Sequence, residues 1–177
     1  MRISVMMFCL LLGGFLTGAG EAAAQQTVTV VENLDVTGET FVYYSLRENK
    51  VVDPEEAEED AWDIAFQSTN IRINASGQLV DKAFDALKEA PEAGYVDGEK
   101  VVPGGSGNGW YLYEPSIHAV MPIPDRLIVL KTPAGTYAKL EILSFYLNGT
   151  DPDKATEQPR YFAFRFVHQP DGSRTLN

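Results

Sequence analysis

The sequence predicts an all-β fold, predominantly antiparallel, with at most one or two short helices. Three observations carry this. Short runs rich in β-branched and aromatic residues recur along the chain and are separated by turn residues. The segment Arg126–Tyr146 holds two apolar runs, "RLIVLKT" and "TYAKLEILSFY", around "PAG", which predicts a β-hairpin with a short glycine-containing turn. The run "RYFAFRFVH" (160–168) alternates strictly, with Phe162, Phe164, Phe166 and His168 on one face and Tyr161, Ala163, Arg165 and Val167 on the other.

The remaining elements follow in order. "TVTVV" (27–31) and "TFVYYSL" (40–46) predict strands joined by the turn chemistry of "NLDVTGE". "DPEEAEED" (53–60) is acidic and predicts a solvated turn or short helix, since it lacks the spaced ligands and central glycine of a calcium loop. In "WDIAF" (62–66), Trp62, Ile64 and Phe66 share one parity, which predicts a half-buried strand, weakly continued by "NIRIN" and turned by "ASGQ". Val80, Ala83, Phe84 and Leu87 have helical spacing before Pro91, which predicts one short helix or a loop. "PGGSGNG" (103–109) is a flexible loop leading into "WYLY". It is neither a nucleophile elbow, because Asn108 stands where the second glycine is needed, nor a dinucleotide loop, because a strand-like run follows. "NGTDPDKATEQP" (148–159) is a polar loop.

The N-terminus has its own signature. A basic start, the apolar run "ISVMMFCLLLGGFLTG" and the small residues Ala22 and Ala24 read as a secretory signal peptide over residues 1–24, leaving a single domain over 25–177. No later segment is long and apolar enough to span a bilayer. The single cysteine, Cys9, lies inside the apolar run and not at its end, so an exported protein is expected without the lipoprotein signature, whether periplasmic, extracellular or cell-surface associated. The rest of the chain has no cysteine, which excludes disulfides, thiolate metal sites and cysteine nucleophiles there. A net charge of −11 argues against nucleic acid and anionic lipid as partners.

Two histidines, His118 and His168, limit the chemistry available. No nucleophile signature and no H-E-x-x-H helix is present, so an enzyme is not expected. His118 lies in "GWYLYEPSIHAVMPIP" (109–124), where Trp110, Tyr111, Tyr113 and Met121 would suit contacts to a flat apolar cofactor such as haem, or a second axial ligand in the case of Met121. The alternative is a loop histidine bonded to backbone beside core aromatics. His168 ends the last predicted strand and is a weaker candidate ligand.

The order "WDIAFQSTNIRINASG", "GWYLY", "DRLIVLKTPAGTYAKLEILSFY", "RYFAFRFVH" resembles the HmuY family, with Arg72 and Asn74 following "WDIAF" as its R-x-N. The resemblance spans roughly Thr27 to His168. It implies a HmuY-like, non-enzymatic, exported β protein that binds haem or another porphyrin in hemophore fashion for iron acquisition, with an outer-membrane receptor as possible partner. It implies His118 as an iron ligand, with Met121 or, more weakly, His168 as the second. Between Tyr95 and Gly109, where the family's haem-binding member has its other axial histidine, this chain has neither histidine nor methionine. The other implication is a HmuY-fold surface or periplasmic interaction module with no haem function.

Overall fold

A computed structural model describes residues 26–58, 60–149 and 158–177. The signal peptide expected over 1–24 and most of the polar loop after Asn148 lie outside the described residues. The rest is built from strands: β1 (Thr29–Asp35), β2 (Val42–Ser45), β3 (Lys50–Val52), β4 (Ile64–Gln67), β5 (Asn70–Ile73), β6 (Ser76–Asp81), β7 (Val96–Asp97), β8 (Tyr111–Glu114), β9 (Ala119–Pro122), β10 (Arg126–Lys131), β11 (Tyr137–Tyr146) and β12 (Pro159–Gln169). One helical turn, α1 (Gly98–Val101), and one 3-10 turn, Phe84–Ala86, complete it.

The strands form a six-stranded sheet in the order β1-β12-β11-β10-β6-β7 and a four-stranded sheet in the order β3-β2-β4-β5. Every pairing is antiparallel. The expected hairpin is β10–β11, which closes with Lys131 opposite Tyr137, and Gly135 has φ 79, a backbone shape that glycine adopts freely.

The two sheets face each other across an aromatic core. Phe162, Phe164 and Phe166 project from β12 onto this side, as their alternation predicts, and their exposure is 2% or less. The Phe66 ring lies 4.8 Å from that of Phe162 and 5.3 Å from that of Phe164, and Tyr44 meets Phe164 edge-on at 5.4 Å.

The large sheet is covered on its other face too. Residues 82–90 cross it as a strap, and Leu176 comes back to seal it, burying Phe84, Leu87 and Ala90 against Leu127, Val129 and Val167. Here the structure corrects the helical reading of Val80–Ala90. Val80 lies within β6, and Phe84 and Leu87 reach the core from a strap with a single 3-10 turn. The spacing was apolar for a reason other than helix: residues on one side of an irregular strap also repeat every three or four positions.

Lys139 is buried beneath that strap. Its ammonium donates to the carbonyls of Phe84 and Leu87 at 2.7 and 2.8 Å and lies 4.4 Å from the Phe84 ring centroid. Burial pushes its pKa down to about 8.

Three further expectations change. β4 is buried on both faces, with Ala65 at 0% and Asp63 at 6% exposure, not half-buried. The Trp62 ring sits against Tyr43 at 5.0 Å, and Tyr43 pairs with Ala65, so Trp62 leaves the Ile64–Phe66 face before the strand begins. The turn expected over "ASGQ" (75–78) is confined to its first residue, Ala75 with φ 68, and Ser76 already starts β6. The acidic segment is a turn around Pro54–Glu56 with exposed carboxylates flanking it.

Candidate functional site

The sixteen residues from Gly109 to Pro124 do not join either main sheet. β8 and β9 form a separate two-stranded ribbon, with Leu112 opposite Met121 and Tyr113 opposite Val120. Pro122 is itself the last residue of β9. A proline is tolerated there because it occupies an edge position.

The base of the ribbon is fixed to the core. Trp110 is 2% exposed, packs against Phe162 and Phe145, and donates its Nε1–H to the Thr69 carbonyl at 2.8 Å. Its ring thus belongs to the core, at the foot of the ribbon. Arg126 donates to the Gly109 carbonyl at 2.9 Å while holding both carboxylate oxygens of Asp81 at 2.7 and 3.1 Å. The glycine-rich loop lies along β8: Gly107 donates to the Tyr111 carbonyl, and the Ser106 hydroxyl accepts from Tyr113 N–H, both at 2.8 Å. On the β9 side, Val120 N–H donates to the buried Tyr146 hydroxyl at 2.7 Å.

The tip is exposed. The Glu114 carboxylate accepts from Ser116 N–H at 3.0 Å and from its hydroxyl at 2.6 Å, which closes the turn and holds that carboxyl below the usual carboxylate range. His118 closes the loop with φ 52, a left-handed shape in which histidine is enriched among non-glycine residues. Its Nδ1 is 2.9 Å from the Tyr113 hydroxyl. With Nδ1 donating to that hydroxyl, the lone pair of Nε2 is available for a ligand.

Apolar side chains on this ribbon stand without cover. Leu112 is 48% exposed, Ile117 60% and Met121 41%. Of the large hydrophobic residues that are exposed among the described residues, half lie on this ribbon, counting Tyr113. Tyr111 and Val120 instead pack partly against the core. Ile117 and Leu112 were not singled out by sequence; the signal was an apolar residue at the tip of a turn, where polar residues are the rule.

The candidate ligands separate. In a pleated ribbon, cross-strand partners share a face and neighbours alternate. Leu112 and Met121 therefore face one way, and Tyr113 and Val120 the other. The His118 ring is bonded to Tyr113, so it and the Met121 thioether serve opposite faces.

His168 is remote. It pairs with Ala138, whereas the ribbon is held at Tyr146, and the intervening length of β11 is about 26 Å at the usual strand rise of about 3.3 Å per residue. His168 is instead bonded through Nε2 to the Thr136 hydroxyl at 2.9 Å; burial pushes its pKa down, and the charge of Asp63 opposes that shift. Asp63 is itself raised by burial, against the backbone N–H groups of Leu46 and Arg47 that it accepts from. Among the described residues no cluster of three or more His, Cys, Asp or Glu side chains is positioned for a metal ion, and no helix is long and apolar enough to cross a membrane.

Comparison with known proteins places this geometry in context. The HmuY protein family model matches residues 38–114, from just before β2 to the end of β8, and stops short of His118. No protein of curated function matches the chain. Among solved structures, a putative HmuY-like heme binding protein from Bacteroides vulgatus ATCC 8482 is 17% identical, with 79% of this chain and 90% of that chain covered at a TM-score of 0.52. The apo HmuY analog of Tannerella forsythia is 15% identical, covering 82% and 96% at a TM-score of 0.55. Apo PinO from Porphyromonas gingivitis is 15% identical, covering 81% and 98% at a TM-score of 0.54. At these identities the likeness is one of fold. Over residues 38–114 the chain matches the HmuY family, and its described domain has the HmuY-like all-β fold.

Proposed function

We propose that this chain is an exported binding protein, not an enzyme, and that the β8–β9 ribbon takes haem or a related porphyrin with His118 as iron ligand. The observation that carries the reading is the exposed His118 imidazole, anchored through Nδ1 on the Tyr113 hydroxyl at the tip of the ribbon, beside the uncovered Ile117, its neighbour in sequence. Ligating histidines are commonly oriented by a hydrogen bond at the second ring nitrogen, which fixes the tautomer and raises the basicity of the first. The family match and the HmuY-like fold support the same ligand class. The donor set suits one axial imidazole. Tyr113 orients it, Ile117 at the same turn supplies apolar contact, and Leu112 and Met121 add apolar surface on the opposite face of the ribbon. Trp110 and Tyr111 act as the foundation that aims the tip.

The test is a titration of the purified protein with haemin, followed in the visible spectrum. A saturable, shifted Soret band is expected, and His118→Asn should abolish it with an unchanged far-UV circular dichroism spectrum. Asparagine tolerates the left-handed backbone at this position, so the substitution removes the ligand without straining the turn. An equal Soret shift in the variant would eliminate His118. The reading as an interaction module without haem is favoured by the same exposed apolar side chains; it predicts no spectral shift in either protein.

A further inference from the structure

An asparagine followed by glycine loses its side-chain amide readily, because glycine has no Cβ to hinder the approach of its nitrogen to the carboxamide. The chain has two such pairs, Asn108–Gly109 and Asn148–Gly149. The fold treats them differently. At the second pair both reacting groups are engaged. Asn148 Oδ1 accepts from Asn33 Nδ2 at 3.1 Å, and Asn33 Oδ1 accepts from the Asn148 N–H at 2.7 Å. The Gly149 N–H donates to the Tyr146 carbonyl at 2.9 Å. The carboxamide is thus held to β1, and the nitrogen that would attack it is held to β11.

At the first pair Asn108 is exposed, and its carboxamide makes one long bond, from Nδ2 to the Gly104 carbonyl at 3.3 Å. The Gly109 N–H has no hydrogen-bond acceptor among the described residues.

We infer that Asn108–Gly109 is a site of spontaneous covalent modification, and that Asn33 guards the other pair against the same reaction. The Gly109 nitrogen attacks Asn108 Cγ, its proton leaves with the amide as ammonia, and a succinimide ring closes. Water then opens either ring C–N bond. Opening at Cγ leaves aspartate in an ordinary backbone. Opening at the main-chain carbonyl carbon leaves isoaspartate, whose backbone runs through Cβ and Cγ and is longer by one carbon.

The position gives this chemistry a structural effect. Just after it, the Gly109 carbonyl is held by Arg126 at 2.9 Å and Trp110 is fixed in the core. The extra carbon is therefore taken up before it, in residues 103–108, where the Gly107 N–H and the Ser106 hydroxyl bond to β8. Modification loosens the ribbon's entry, whether or not the ribbon takes haem.

The experiment incubates the purified protein without haemin in mildly alkaline buffer and maps aspartate and isoaspartate by peptide mass spectrometry. In the folded protein, position 108 should convert at least about fivefold faster than position 148. In urea, where no fold distinguishes them, the two should convert at similar rates. Asn33→Gly suits the left-handed backbone there (φ 58) and removes the guarding amide; it should raise the rate at 148 towards its urea value and leave 108 unchanged. Amide exchange at Gly107 and Tyr113 should quicken in the isoaspartate fraction. Equal rates in the folded protein, or faster conversion at 148, would overturn the assignment of Asn108. An unchanged rate at 148 in Asn33→Gly would overturn the guarding role of Asn33.

Discussion

Single side chains in the sixteen-residue segment separate into two jobs that the sequence does not distinguish. Trp110 and His118 stand eight positions apart, yet one is buried against Phe162 and the other is in solvent. The tryptophan carries the packing of the ribbon's foot. Truncating it to alanine removes the contacts with Phe145 and Phe162 and strands the Thr69 carbonyl, so Trp110→Ala should lose about 3–5 kcal/mol in urea denaturation. A loss below about 1 kcal/mol would contradict its place in the core. Gly109, just before it, is equally constrained. A Cβ there would run into the Pro103 carbonyl, so the loop cannot take a larger residue without moving Trp110. What was legible here was composition: aromatics, one histidine and prolines in a short stretch. What was not legible was direction, because the assignment of each ring to core or solvent depends on a ribbon that stands apart from both sheets.

At the level of elements, strong alternation was readable and isolated pieces were not. β12 and the β10–β11 hairpin follow directly from their residues, because each strand buries one parity of bulky side chains against the opposing sheet. The strap over residues 82–90 was not readable as such, since a helix and an irregular crossing both repeat apolar residues at similar intervals. β9 was hidden by Pro122 and the nearby Pro124, which argue against a strand unless it lies at an edge. The ribbon's hold on the body is therefore the element to probe. Arg126 links Asp81 at the end of β6 to the Gly109 carbonyl, so it connects the large sheet to the ribbon's entry. Arg126→Met should speed amide hydrogen exchange at Gly107 and Tyr113, whose N–H groups bond across this joint, and leave protection in β11 and β12 unchanged. Uniform acceleration across all strands would mean that the residue supports the whole fold and not the joint.

For the whole molecule, the notable energetic feature is a charged amine enclosed beneath the strap. The pKa of Lys139 is pushed down to about 8 from its ordinary value of 10.5, chiefly by burial. Between those two values the unfolded chain binds more protons than the folded one, so this residue makes stability rise with pH across that window. Below about pH 8 both states are protonated and the contribution is flat. The stability difference between wild type and Lys139→Met, read from urea midpoints at pH 8 and pH 10, should therefore move in favour of wild type at the higher pH. Parallel curves would show that the amine is not enclosed. The topology has a temporal meaning as well. Among the described residues β1 has β12 as its only sheet partner, and Leu176 seals the strap, so β1 cannot pair until a strand far along the chain has been made. Pairings so distant in sequence form slowly. The larger sheet cannot close at this edge before β12 has emerged, and β1 stays free to move until then.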